Sequence, residues 1–283
     1  MHTPRQYLPT VPARLFAFAA VLVAVFGIAA VAGSVADPKT HKAAVAHGDA
    51  MGMSSHEPAG LAIAQDGYRL DVENPGFKAA RAQTLRFRVL DENGRAVRDF
   101  EHEHGSKLHL IIVRRDLTGY QHVHPRLAAD GTWSIALTLP RPGAYRAFAD
   151  FHTNGRALTL GADLFVPGDF QPQALPAHSS TATTDGYDVT LTEPTPGKLH
   201  FAVSRGGRQV TDIQPYLGAR GHLVALRQGD LAYLHVHPEE GPTPGAGVSF
   251  EAEFPSAGKY RLYLQFKHAG RVHTAEFTRE VTR

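Results

Sequence analysis

Short runs of β-branched and aromatic residues follow one another from residue 61 onwards, separated by Gly, Pro, Asn and Asp about every 8–12 residues. In the first half of this region the pattern predicts strands near residues 67–73, 84–90, 107–114, 120–124, 132–138, 144–151 and 158–166. No stretch keeps the period of an amphipathic helix. Seven short strands in about 100 residues are typical of an immunoglobulin-like β-sandwich.

The strand pattern occurs twice. The segment HLIIVRRDLTGYQHVHP, which starts at His109, matches HLVALRQGDLAYLHVHP, which starts at His222. Further on, LPRPGAYRAFADFHTNGRA (139–157) matches FPSAGKYRLYLQFKHAGRV (254–272). The repeat predicts one β-sandwich over residues 61–168 and a second over 182–283, joined by a Pro-rich linker at 169–181. Each copy is long enough for its own core, so we expect two separate beads.

The N-terminal region is different in character. Between Leu15 and Ala36 there is no charged residue, and Arg5 and Arg14 precede the segment. Its 22 residues match the length of about 20 that a membrane-spanning helix needs, which favours an uncleaved anchor over residues 1–36. Small residues near Ala36 also suit a cleaved signal peptide. Both alternatives predict that the remaining chain lies outside the cytoplasm, either membrane-anchored by a single pass or secreted.

Histidine is abundant and cysteine is absent: the 283 residues include 17 His and no Cys. A disulfide framework and a thiolate metal site are therefore excluded, and any metal must be held by His, Met or carboxylate. The net charge is only +2, and no basic stripe of the kind that binds nucleic acid is present. Motifs for a nucleophile elbow, a zinc protease helix or a phosphate-binding glycine loop are also missing, so the sequence predicts no enzyme.

The best candidates for metal ligands are the histidines of the repeat. Side chains two apart in a strand share a face, so His122 and His124 project together, as do His235 and His237. A hairpin centred between residues 228 and 229 would place His222 opposite His235. We therefore predict two triads on sheet faces, suited to Cu(II) or Zn(II): His109, His122 and His124 in the first module and His222, His235 and His237 in the second. The alternative is a structural cluster in which neighbouring groups satisfy the ring nitrogens.

Two further sets of candidate ligands lie outside the repeat pattern. His102 and His104 precede the first hairpin and have no counterpart pair in the second copy. Met51 and Met53 lie in residues 37–60, a region poor in apolar side chains that we expect to be a disordered linker. Thioether sulfur suits Cu(I), so these methionines are a candidate soft site, although a small-residue tether explains the same composition.

The HxHP segments, together with GTWSIALTLPRPGAYRAFADF and ALTLGADL, resemble a family of actinobacterial secreted or membrane-anchored proteins with duplicated β-sandwich modules. That resemblance covers nearly all of residues 61–283 and implies a heavy-metal-binding or copper-associated role. The leading hypothesis is thus an extracytoplasmic protein that sequesters or delivers a metal ion, with copper favoured and zinc as the alternative. The second hypothesis is a structural module of the cell envelope that binds a protein partner without metal.

Overall fold

The computed structural model describes residues 58–234, 236–238 and 247–282, and all regular elements in these ranges are β-strands. The first module contains β1 (Ala64–Gln65), β2 (Tyr68–Val72), β3 (Ala82–Leu90), β4 (Leu108–Arg114), β5 (Gln121–Val123), β6 (Arg126–Leu127), β7 (Trp133–Thr138), β8 (Gly143–Thr153) and β9 (Arg156–Val166). The second contains β10 (Thr181–Thr184), β11 (Tyr187–Thr195), β12 (Lys198–Arg205), β13 (Arg208–Gln209), β14 (Gly221–Arg227), β15 (Tyr233–Leu234), β16 (His237–Pro238), β17 (Val248–Glu251), β18 (Gly258–His268) and β19 (Arg271–Val281).

The first module is a sandwich of two antiparallel sheets, with strand orders β1-β2-β3-β7-β6 and β5-β4-β8-β9. Alternate residues of both sheets point into one buried core that includes Phe87, Trp133, Tyr145 and Phe151. All seven predicted strands are present, and the structure adds the two-residue strands β1 and β6. The immunoglobulin-like fold that the strand pattern predicted is therefore confirmed.

The second module repeats this arrangement. One sheet has the order β10-β11-β12-β17-β16, with β13 also pairing with β12, and the other has the order β15-β14-β18-β19. Its own core includes Tyr187, Phe201, Phe250, Tyr260 and Phe266. The all-β architecture of two tandem immunoglobulin-like sandwiches is thus present in both halves of the repeat. The predicted N-terminal helix lies outside the described residues, and within them no helix is long and apolar enough to cross a membrane.

The two modules are packed against each other instead of forming separate beads. A third buried apolar cluster lies between the β5-β4-β8-β9 and β15-β14-β18-β19 sheets, and residues 55–283 form one compact unit. Strand β4 explains why: Leu110 and Ile112 enter the core of the first module, while Ile111 and Val113 enter the cluster between modules. A strand that is apolar on both faces needs a partner on both, and the second module supplies it.

One aromatic contact occurs twice in this interface, once in each direction between the modules. Tyr120 stacks on Tyr263 with ring centroids 4.0 Å apart, and Tyr233 packs on Phe148 at 5.6 Å. Tyr120 and Tyr233 are equivalent in the repeat, as are Phe148 and Tyr263. Each module thus contributes the same two positions to the interface, as the subunits of a two-fold dimer do, although one chain supplies both halves.

The linker over residues 169–181 follows the edge of the interface. Phe170 lies against the guanidinium of Arg114, with 5.3 Å between the carbon of the guanidinium and the ring centre. The backbone amide of Gln173 donates to Asp116, and Leu175 packs against the apolar cluster between the modules. The connection is therefore attached to the modules that it joins.

Candidate metal centre

The hairpins that carry the histidines have a different register from the predicted one. Ala225 pairs with Leu234, whereas a turn centred between residues 228 and 229 would pair it with Ala232. The turn is displaced because Leu231 adopts a left-handed backbone conformation with φ 64°, and Asp230 accepts hydrogen bonds from Arg227 and from the amide of Ala232. A displacement by two residues leaves every side chain on its predicted face.

In the first module, His109, His122 and His124 come together as predicted. His109 Nδ1 lies 2.9 Å from His122 Nε2 and 3.1 Å from His124 Nε2. One nitrogen of each ring lies within 4.8 Å of the others, and this is a group of a size that can hold a metal ion. His109 is 7% exposed, and the other two are half-buried. The three rings belong to β4, β5 and the residue that follows β5, all on the face toward the second module.

The outer nitrogens of two of these rings are fixed by acceptors. His109 Nε2 donates to the backbone carbonyl of Glu103 at 3.1 Å. His122 Nδ1 donates to Oε1 of Gln265 at 2.7 Å, and the amide nitrogen of Gln265 donates to Thr274. Because each ring uses its N–H on an outer oxygen, the nitrogens that face each other at 2.9 Å both carry lone pairs. This is the arrangement that orients histidine ligands around metal ions.

Loss of hydration favours the neutral form of His122 and of His124. Burial lowers the pKa of His122 well below its ordinary value, and neighbouring His109 lowers it further. Burial likewise lowers the pKa of His124 to about 4, again with a contribution from His109. At neutral pH the rings of His122 and His124 are therefore uncharged, and neutral imidazole is the form that binds metal.

A histidine of the second module lies beside this group. The ring centre of His222 is 6.1 Å from that of His109 and 5.9 Å from that of His122. Its Nε2 donates to the carbonyl of Tyr216 at 2.9 Å, and burial lowers its pKa to about 4. His109, His122 and His222 line a cavity of about 40 Å³ between the modules, with room for an ion and a water or two. His222, the first member of the predicted second triad, thus lies beside the histidines of the first module.

The other predicted ligands fall in three groups. His104 also lines the cavity, with its ring centre 5.6 Å from that of His222, whereas His102 is exposed and is not in the group of converging nitrogens found among the described residues. Met51, Met53 and His235 lie outside the described residues, and only the backbone of His237 is described. For these the ligand role stays a prediction.

The sequence did not identify two groups that orient the rings. One is the carbonyl of Glu103, which no side-chain pattern can reveal. The other is Gln265, which aligns with the acidic Asp150 of the first copy and faces the histidines across the interface. The alignment of Gln265 with Asp150 was the available signal, since Asp150 pairs directly with His109 in the sheet.

A family model described as a domain of unknown function (DUF8832) matches residues 63–167 and, a second time, residues 182–283. The chain belongs to this family. The two DUF8832 matches coincide with the two sandwiches, which supports the duplicated module. No curated protein matches the chain.

Solved structures similar to this DUF8832 chain share little sequence with it. FdeC, an Escherichia coli adhesin, is 15% identical over 78% of this chain and 66% of its own, with a TM-score of 0.27. Invasin, a bacterial integrin-binding protein, is 13% identical over 78% of this chain and 41% of its own, with a TM-score of 0.22. A tandem pair of titin immunoglobulin domains is 12% identical over 76% and 96%, with a TM-score of 0.21. The chain spans about two thirds of the FdeC chain and less than half of the invasin chain.

Proposed function

We propose that this protein binds a metal ion outside the cytoplasm, with His109, His122 and His124 as ligands, and sequesters it or hands it to a partner. The observation that carries the proposal is the pair of lone-pair nitrogens at 2.9 Å, His109 Nδ1 and His122 Nε2. Two such nitrogens repel each other unless a cation lies between them. A metal ion satisfies both of them together with His124.

The distances fit with a small adjustment. Metal–nitrogen bonds of about 2.0–2.1 Å in a tetrahedral site separate ligand nitrogens by about 3.4 Å. The nitrogen of His109 lies 2.9 Å from that of His122 and 3.1 Å from that of His124. A tetrahedral ion therefore requires the rings to move apart by a few tenths of an ångström, whereas the right-angled bonds of a square-planar Cu(II) site separate adjacent nitrogens by about 2.9 Å. His122 lies in the three-residue strand β5 and His124 directly follows it, so these two side chains can make such a movement.

Copper is the metal that the ligand set favours. The group offers imidazole nitrogen only, and the whole chain lacks cysteine. For a given set of nitrogen donors, affinity rises along the first-row divalent metals to a maximum at Cu²⁺ and falls again at Zn²⁺. Zinc is the alternative, and Met51 and Met53 are the candidates for Cu(I). The resemblance to copper-associated proteins supports the same order.

The extracytoplasmic location is proposed from the uncharged segment between Leu15 and Ala36. A protein held at the outer face of a membrane meets incoming metal before the cytoplasm does. Because His124 is half-buried, one member of the ligand group is open to solvent, and this provides a route for exchange. These features suit capture and transfer better than permanent structural binding.

The test is a titration of the full chain, freed of metal by a chelator, with Cu(II) and then with Zn(II). A variant with His109, His122 and His124 changed to Ala is compared with a control in which His178, His200 and His268 are changed. We expect the wild type and the control to bind one ion tightly, with Cu(II) preferred, and the first variant to lose this binding. Equal binding by all three chains would overturn the proposal.

A second candidate function is a structural module that binds an envelope protein. The apolar cluster between the modules favours it, because it makes the two sandwiches a rigid pair of the kind that presents a surface. In that case His109, His122 and His124 share a proton instead of an ion. Absence of metal binding in the titration, together with intact folding of all chains, is the result that this alternative predicts.

A further inference from the structure

We propose that His222 is the fourth ligand, so that the metal ion joins the two modules. This inference rests on the proposed function and goes beyond it, because it makes the site a property of the interface and not of one module. His109, His122 and His124 leave one position of a four-coordinate ion open. The second module presents the ring of His222 beside this group, with ring centres 5.9 Å from His122 and 6.1 Å from His109.

The position of His222 supports the assignment. The ring centres of His109, His122 and His124 are 4.9 to 5.1 Å apart. The ring centre of His222 is 5.9 Å from that of His122 and 6.1 Å from that of His109. The ring centre of His222 is therefore about 1 Å farther from those of His109 and His122 than these are from each other. His104 is more distant from His109, at 6.5 Å, and belongs to the same module as the triad.

The chemistry of the His222 ring also fits. Its Nε2 donates to the carbonyl of Tyr216, which leaves Nδ1 as the basic nitrogen. His109 has the same arrangement, with Nε2 on the carbonyl of Glu103 and Nδ1 toward the other rings. Both rings line the cavity between the modules. The repeat thus provides two histidines that are oriented in the same way and that face each other from opposite modules.

Coordination by both modules has a mechanical consequence. The apolar cluster holds the sheets together without metal, and an ion bound from both sides strengthens that contact. An ion that binds only the docked arrangement stabilises it by RT ln(1 + c/Kd), where c is the concentration of free ion. Metal loading is therefore coupled to the rigidity of the interface, and loosening of the interface is coupled to metal release.

The experiment compares the full-length wild type with His222→Gln, His109→Ala and the control His200→Ala. Glutamine retains an amide donor for the carbonyl of Tyr216, so the variant is expected to fold. Pulsed EPR on the Cu(II) form counts coordinated imidazoles, and competition with a chelator gives Kd. We expect four imidazoles in the wild type and control, three in H222Q, and at least a tenfold weaker Kd for H222Q.

Hydrogen exchange gives an independent readout. Amides of β14 around Val224 should exchange more slowly when Cu(II) is added to the wild type, and this protection should be lost in H222Q. If H222Q keeps the wild-type imidazole count and Kd while H109A loses binding, the fourth-ligand assignment is wrong and the proposed function stands. If H109A also binds as the wild type does, both are wrong.

Discussion

His109 and His222 occupy the same position in two copies of one module, but their neighbours differ. Each ring donates from Nε2 to a carbonyl six residues earlier in the chain, that of Glu103 for His109 and that of Tyr216 for His222. Duplication has preserved this orienting bond. The residue opposite in the sheet has changed, because His109 pairs with Asp150 whereas His222 pairs with Gln265.

The difference between Asp150 and Gln265 explains why the orientation of the first triad depends on the second module. Gln265 reaches across the interface and accepts a hydrogen bond from His122 at 2.7 Å. Its counterpart Asp150 accepts from Thr159 at 3.0 Å and from Tyr233 of the second module at 3.3 Å. Each module thus supplies an acceptor to the other. The amide oxygen of Gln265 accepts from a histidine of the triad, and the buried carboxylate of Asp150 accepts from Tyr233.

Substitutions on the two faces of β4 should have the largest effect, which is on the free energy of unfolding. Ile111 lies in the cluster between modules and Ile112 in the core of the first module, and both are at most 1% exposed. Substitution of either by Ala should lower the free energy of unfolding by about 2–5 kcal/mol. Only I111A should uncouple the modules, so that calorimetry resolves two transitions in place of one. A single transition for I111A would show that the interface does not couple them.

Two histidines of the first module, His109 and His102, should differ strongly in their effect on Cu(II) affinity. His109 Nδ1 is the common neighbour of His122 and His124, whereas His102 is exposed nearby. His109→Ala should weaken Cu(II) binding by more than about 100-fold, since removal of an outer partner alone costs 10–100-fold. His102→Ala should leave Kd unchanged in the same competition assay. Similar losses for both variants would contradict the assignment of ligands.

Substitutions of Gln265, whose equivalent in the first module is the acidic Asp150, should change the affinity for metal in opposite directions. Gln265→Ala removes the acceptor of His122 and should weaken metal binding by about 10–100-fold without changing the imidazole count. Gln265→Glu supplies a carboxylate, which makes the ring a more basic ligand, and should strengthen binding relative to the wild type. Isothermal titration of the three chains checks the order, and an unchanged Kd in Q265A would separate Gln265 from the site.

The smallest effect is on the pH dependence of the folding stability of the metal-free protein. Burial lowers the pKa of His222 to about 4, whereas the unfolded chain binds the same proton near 6.5. The unfolded state therefore binds more protons as pH falls from 6.5 to 4, and stability decreases over that window. Between pH 7 and pH 6 the loss from His222 is about 0.7 kcal/mol. Denaturant titrations should show a smaller loss for H222Q, and an identical loss in both chains would contradict the neutral buried ring.

The sequence was sufficient for the strands and the repeat, because alternating side chains and turn residues determine both. It also placed His122 and His124 on one face, which follows from the period of a strand. The hairpin register was wrong, because the left-handed conformation of Leu231 is unusual for that residue and has no sequence signature.

The docking of the modules was also missed, although a signal for it exists. The continuous apolar run around Ile111 and Ile112 has both faces buried, whereas a strand with one face in water alternates. What covers the second face depends on the distant residues Val224 and Tyr263. Periodicity within one segment carries no information about such partners, and for this reason the sequence did not place His222 beside the first triad.

The central claim is that an ion lies between His109, His122 and His124. Anomalous diffraction from crystals of the full chain grown with Cu(II) and measured at the copper absorption edge tests it most directly. An ion bound by these rings should give a peak about 2.0–2.1 Å from Nδ1 of His109 and from Nε2 of His122 and His124. A copper peak bound elsewhere, with these three rings still in mutual contact, would contradict it.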